Sequence, residues 1–207
     1  MSIKKELKRK ALHVTGLTVP LVYCLFGREA ALSLTGIAFF LFVILEPFRI
    51  IEEFRDSIKR RLRIYVDDDV FERMEVLERQ IDEITRGHER ERVAAHIYFA
   101  VASFILVYFF PANIAVGAIM VATVGDALAA IIGKSMGRHR FSNGKSLEGS
   151  LAYLLSAVLI LAPLVGLEGA LVGAAVGTIV EFYNLPPDDN FSNQLAVGTV
   201  LYLVSSL

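Results

Sequence analysis

Asp126 stands inside an uncharged apolar run, Met120-Val-Ala-Thr-Val-Gly-Asp-Ala-Leu-Ala-Ala-Ile-Ile-Gly133, where hydrocarbon penalises a carboxylate. An ionisable group within a membrane span is a functional-site hypothesis in itself, because a partner or a task must offset its desolvation. Downstream, Gly144-Lys-Ser-Leu-Glu-Gly-Ser150 collects a cation, two hydroxyls, a second carboxylate and glycines at the mouth of the next apolar run. Magnesium takes hard oxygen ligands, often one or two carboxylates shared with substrate phosphates. Asp126 with Glu148, Glu181 or Asp189 meets that description. Lys145 can neutralise phosphate, and the amides near Gly144 and Ser146 can donate to its oxygens as helix N-terminal amides do. These residues read as a phosphate and metal site.

Each has a plainer account as well. Asp126 can be a structural acid bonded to Thr123, to a backbone group or to a lysine; Lys145 can be a topology anchor; Ser146 or Glu148 can cap the helix that starts near Gly149. Capping and ligation are compatible. His13 follows Lys10 by three residues and Arg9 by four, so all three project from one side of a helix. A histidine there can bind phosphate or a substrate hydroxyl, carry a proton, or only make an interfacial hydrogen bond. His88, His96 and His139 lack zinc-site spacing, and Asp67 to Asp69 read as a solvated turn. The string Gly144-Lys145-Ser146 is not a nucleotide P-loop: that motif needs a strand and a glycine five residues earlier, where His139 stands.

The elements that hold these residues follow from charge segregation. The chain has 207 residues, 55% hydrophobic and 21% charged, with a net charge of −1 that says nothing about partners. Uncharged runs recur at 11–27, 30–45, 93–110, 114–133 around Asp126, 149–165, 169–185 around Glu181, and 191–207. Each is near the roughly 17 to 25 residues a helix needs to cross a bilayer. The expected fold is all-α, a polytopic integral membrane protein of about seven transmembrane helices forming one domain over 1–207. The first run lacks a small-residue cleavage site and is expected to stay as the first span. All but one of the 21 Lys and Arg fall before the first run, between Arg49 and Arg92, or between Lys134 and Lys145, leaving Arg28 on the other side. The positive-inside rule then places the N-terminus in the cytoplasm of a multi-pass cell-membrane protein. Cys24 is the only cysteine, so an intrachain disulfide is excluded.

Between the second and third spans, 48–92 reads as a cytoplasmic helical insertion. Val70, Met74, Leu77, Ile81 and Ile84 alternate spacings of four and three, a narrow apolar seam. The seam packs on the protein's own cytoplasmic face or the lipid interface, or joins two copies in a homodimeric coiled coil. In the sixth run, Gly169, Gly173 and Gly177 form a small-residue stripe, and one more step of four reaches Glu181, which turns that carboxylate toward the bundle. Pro20 is expected to kink the first span. With this topology Lys10, His13, Asp126, Lys145, Glu148, Glu181, Asp188, Asp189 and Asn190 all fall near one membrane surface. A cytoplasmic active site with access to lipid is the natural reading. A transporter with Asp126 and Glu181 along its pathway is the alternative, opposed by that one-sided clustering and by the lack of matching halves with interrupted helices.

These residues resemble the family of CTP-dependent polyprenol kinases, which includes dolichol kinase, phytol kinase and the yeast-type CTP-dependent diacylglycerol kinase, with a looser similarity to phosphatidate cytidylyltransferases. The pattern stands here as Gly125-Asp126-Ala127-Leu128-Ala129, Gly133, Gly137 and Lys145-Ser146-Leu147-Glu148-Gly149-Ser150, with Arg9-Lys10-Ala11-Leu12-His13 and Asp188-Asp189-Asn190 also similar. The resemblance covers most of the chain, in a compact form. It implies phosphoryl transfer from CTP to the hydroxyl of a membrane lipid alcohol, giving CDP and a lipid monophosphate, with no nucleic-acid partner. It implies magnesium on Asp126 with an acidic partner among Glu148, Glu181 and Asp189, and phosphate or nucleotide contacts from Lys10, Gly125, Lys145, Ser146, Gly149 and Ser150. The base that takes the hydroxyl proton is His13 or Asp189. The alternative within the enzymes is a cytidylyltransferase making a CDP-lipid.

Overall fold

A computed structural model describes residues 10–11, 13–50 and 94–206, with isolated positions between 58 and 76. The insertion at 48–92, its Val70 to Ile84 seam and the pairing of two copies through it lie almost wholly outside the described residues. Among the described residues all regular structure is helical, apart from one antiparallel bridge between Arg140 and Ser146.

Each apolar run is built as helix. The first passes through a 3₁₀ turn, Thr15–Leu17, into α1, Thr18–Phe26. Pro20 lies in the first turn of α1, and the tighter winding falls just before it, where its ring excludes the carbonyl four residues back. Gly27 leads directly into α2, Arg28–Ile50. Next come α3, Ala95–Phe109, and α4, Ala112–Met120, which continues through a π-turn, Val121–Gly125, into α5, Asp126–Ser135. Two more helices complete the chain: α6, Leu147–Tyr183, and α7, Asp189–Ser205.

The 37 residues of α6 would extend about 55 Å as one rod at about 1.5 Å per residue, well beyond a hydrocarbon core about 30 Å thick. Gly166 breaks the rod, with φ 77° and ψ 168°, a conformation open to glycine and strained for other residues. The arms 147–165 and 167–183 fold back antiparallel: a Cβ at Gly173 would meet Leu161 at 2.9 Å, and one at Gly177 would meet the Tyr153 hydroxyl at 2.8 Å. The same two glycines face Leu201 and Val197 of α7. The spacing-of-four stripe is therefore the surface on which three helical segments close, and Glu181 follows it inward, 5% exposed.

Lipid tails are as apolar as leucine, so close packing and interhelical hydrogen bonds carry much of the cohesion. The Tyr153 hydroxyl donates to Asn193 Oδ1 at 2.6 Å, Asn193 Nδ2 to the Gly177 carbonyl at 3.1 Å, and Ser103 Oγ to Gln194 Oε1 at 2.9 Å. Such bonds contribute about 1 kcal/mol each in bundles of this kind. Arg28 sits at the far end of α1 from Lys10 and donates to the Val107 and Tyr108 carbonyls, capping α3 with a cation.

Three helices, Arg28–Glu46, Ala112–Ser135 and Leu147–Tyr183, are long and apolar enough to cross a membrane, and Thr15–Phe26 and Ala95–Phe109 are shorter apolar helices. Ile37, Phe40, Leu41 and Ile44 on α2 are each more than half exposed. An outward apolar face of this kind belongs in a bilayer. Helices α5 and α6 cross in backbone contact: a Cβ at Gly149 would lie 2.8 Å from the Ala129 carbonyl oxygen and 3.2 Å from Gly133 Cα. Those neighbours are backbone and cannot swing away. Gly149→Ala is expected to push the helices apart and cost about 1–3 kcal/mol, read as a lower thermal midpoint in detergent; an unchanged midpoint would show that the crossing is looser than the geometry states.

Candidate active site

The π-turn Val121–Gly125 delivers Asp126 to the first position of α5. Such turns in otherwise α-helical segments recur at functional sites because they re-aim side chains. Asp126 is partly buried and forms an ion pair with the amine of Lys10, itself 2% exposed. His13 Nε2 lies 3.4 Å from Asp126 Oδ2 and 3.3 Å from the Ala122 carbonyl. A carbonyl only accepts, so Nε2 carries the hydrogen. The lysine partner among the plainer accounts of Asp126 is thus present, and Lys10, expected on phosphate, is engaged with Asp126. Gly125 is shaped by packing: a Cβ there would lie 2.9 Å from the Tyr153 ring.

The segment between α5 and α6 is a small hairpin. Phe141 N donates to the Lys145 carbonyl at 2.9 Å, Leu147 N to His139 at 2.9 Å, and Gly144 N to Phe141 at 3.0 Å. The Gly144 amide, expected as an anion donor, is therefore spent within the turn. Asn143 Oδ1 accepts from Lys145 N at 3.1 Å, and its Nδ2 donates to the Phe182 carbonyl at 2.9 Å, docking the hairpin on the end of α6. Arg140 Nη2 donates to the Gly133 carbonyl at 3.1 Å, near the C-terminal end of α5. The result aims Lys145 at Glu181, with which its amine forms an ion pair. Ser146 is the N-cap of α6, its Oγ accepting from Gly149 N at 3.1 Å.

Asp126, Lys145, Ser146, Gly149, Ser150, Glu181 and Asp189 line one cavity of about 250 Å³, together with Lys134, Arg140, Asn143 and Asn184. Lys10, His13, Gly125 and Glu148 are not among its walls. Glu148, expected as a metal-binding loop acid, turns to His139, with Oε1 2.8 Å from Nδ1 and 3.2 Å from the backbone N–H. The reason is local, since the hairpin returns His139 to the first turn of α6, where Leu147 N donates to its carbonyl. Asp189, the first residue of α7, accepts from Asn190 Nδ2 at 3.2 Å, while its neighbour Asp188 caps the helix through Asn190 N at 2.9 Å. Burial, reinforced by the charge of Asp189, pushes the Asp188 carboxyl up to about 6. Arg140, Asn143 and Asn184 are cavity residues that sequence reasoning missed; their only sequence signal is their place as polar residues at the mouths of apolar runs.

Among the described residues no three His, Cys, Asp or Glu side chains converge into a ready metal cage. The wall chemistry nonetheless fits a hard divalent cation shared with phosphate. Asp126, Glu181 and Asp189 come from three different helices, and Glu181 Oε2 and Ser150 Oγ are buried with no hydrogen-bond partner among the described residues. A buried polar atom left unpaired costs roughly 1–3 kcal/mol, which a ligand can relieve. Lys134, Arg140 and Lys145 line the same cavity as those acids, with Lys145 in direct ion pair with Glu181.

The described residues build an all-helical membrane protein with a charged cavity at one end of its bundle. The chain is similar to the dolichol kinase sec59 of Schizosaccharomyces pombe, 30% identical over 167 residues, a match covering 74% of this chain and 29% of that protein. An uncharacterized protein of Rickettsia prowazekii is 28% identical over 203 residues, covering 92% of this chain and 90% of its own length. An uncharacterized protein of Methanocaldococcus jannaschii is 38% identical over 117 residues, 55% of this chain and 60% of its own. No protein-family model and no solved structure matches. The similarity supports a dolichol-kinase-like family, with this chain spanning less than a third of the yeast enzyme.

Proposed function

We propose that the chain is a CTP-dependent lipid-alcohol kinase: the alcohol oxygen attacks the terminal phosphorus of CTP, the bond to CDP breaks, and a lipid monophosphate forms. The acceptor is an isoprenoid alcohol of the polyprenol, geranylgeraniol or phytol type. The observation that carries this reading is one cavity lined by Lys145, Arg140, Asp126, Glu181 and Asp189, in which Lys145 pairs with one Glu181 oxygen and the other Glu181 oxygen is buried and unpaired among the described residues. Phosphoryl transfer asks the protein mainly for positioning and charge stabilisation, which such a cavity supplies. Magnesium bound there would offset charge on the phosphates, with Asp126, Glu181 and Asp189 as its ligands. Lys145 stabilises the transferred group. Glu148 is left out because its carboxylate is committed to His139.

In this reading the seven helical runs are seven spans, with the two arms of α6 crossing separately and the N-terminus in the cytoplasm. Its support is the gathering of Lys10, Lys134, Arg140 and Lys145 at the cavity end of the bundle while Arg28 sits at the other. An alcohol with its tail in the bilayer then presents its hydroxyl at the cytoplasmic surface, where CTP arrives.

The experiment is transfer from CTP labelled on the terminal phosphate to a panel of geranylgeraniol, phytol, dolichol and diacylglycerol by protein in vesicles. Labelled lipid monophosphate is expected. Solute or ion flux insensitive to CTP, without labelled lipid, would favour the transporter instead. The same assay separates the acids: Glu181→Gln is expected to lower the rate about 10²-fold or more, whereas Glu148→Gln, outside the cavity, keeps most of it. Equal losses in the two would return Glu148 to the site.

A further inference from the structure

Asn184 ends α6 with φ 47° and ψ 61°, the left-handed conformation that a helix terminus ordinarily assigns to glycine. Glycine would meet the backbone demand without strain. The side chain present instead lines the cavity, and among the described residues it makes no hydrogen bond. The cap accounts for the backbone of Asn184, while its amide is exposed and open to a ligand in the cavity. A primary amide offers a donor and an acceptor side by side, the pattern that matches a nucleobase edge. Charged phosphate is served better by Lys145 and Arg140 on the same wall.

Next to Asn184 stands Tyr183, 66% exposed, its ring edge-on to Phe182 with centroids 5.1 Å apart. Phe141 of the hairpin meets the other side of this group, 5.0 Å from Phe182. Exposed aromatic faces beside a cavity that holds Lys134, Arg140 and Lys145 are surfaces on which bases can stack. Aromatic residues also anchor helices at the membrane interface, but anchoring gives no role to the neighbouring amide at the cavity wall.

We propose that Asn184 contacts the base of the nucleotide, with Tyr183 as the stacking surface, so that Lys145 holds the phosphates and the end of α6 holds the base. This rests on the nucleotide reading above. The test is equilibrium binding of CTP and of inorganic tripolyphosphate, a base-free probe, to the full chain in nanodiscs, for wild type and for Asn184→Gly and Tyr183→Ala. Wild type is expected to prefer CTP. Asn184→Gly should weaken CTP binding about tenfold while leaving tripolyphosphate binding and the thermal midpoint unchanged, because glycine takes the same backbone conformation. Tyr183→Ala should act in the same direction. Equal weakening of both ligands, or an unchanged affinity for CTP, would overturn the base contact and leave the kinase reading standing. Wild type that binds neither ligand would contradict the nucleotide reading itself and this inference with it.

Discussion

Asp126→Asn is expected to leave the protein in the membrane and lower phosphoryl transfer on the order of 10³-fold. The substitution keeps size and hydrogen-bonding capacity while removing the charge that Lys10 and His13 address and that the proposed magnesium would need. A structural account of the same acid makes a different forecast. Breaking a buried ion pair by removing one partner typically costs about 3–5 kcal/mol, while replacing both partners by apolar residues is often neutral. Lys10 is 2% exposed, so Asp126→Leu alone should lower the thermal midpoint and Lys10→Met/Asp126→Leu should restore it. If the pair served stability only, activity would return with the midpoint. The expected result is a stable double variant with no transfer, measured by thermal shift and labelled-CTP assay on the same preparation.

Lys145→Ala is expected to lower the rate by about 10²- to 10⁴-fold, with the loss in turnover rather than in lipid affinity. Its amine is the cation that the hairpin aims at Glu181, and the transferred phosphoryl group needs that charge when bonding to both oxygens is weak. The substitution also leaves Glu181 buried without its partner. Lys145→Ala/Glu181→Gln removes that penalty, so recovery of the midpoint without recovery of turnover separates charge stabilisation from folding. Recovery of both would make the pair a structural bridge between the hairpin and α6.

The glycine stripe and the inward turn of Glu181 were legible for one reason: periodicity fixes which residues share a helix face. The steps of four from Gly169 to Glu181 predict an inward carboxylate, and Glu181 lies on the surface packed against Tyr153 and Val197. The roles of residues around the hairpin were not legible in this way. Glu148 has the motif position of a ligand, yet its partner is decided by where the chain returns His139, a loop contact that no period encodes. Ser146 was readable as a cap because capping is local to four residues. Asn143, Arg140 and Asn184 enter the cavity through tertiary docking of the hairpin on the end of α6, and their types alone suit any solvated turn. Gly166 could be seen as a gap between two apolar runs, whereas the break in the helix is a property of its backbone angles.

If this cavity moves the terminal phosphoryl group of CTP, the rest of the nucleotide leaves as CDP. Purified protein in vesicles with a lipid alcohol should be given CTP carrying one label on the terminal phosphate and another on cytosine. The account predicts lipid bearing the phosphate label alone, with cytosine label recovered as CDP in equal amount. Cytosine label in the lipid, with pyrophosphate released, would contradict it.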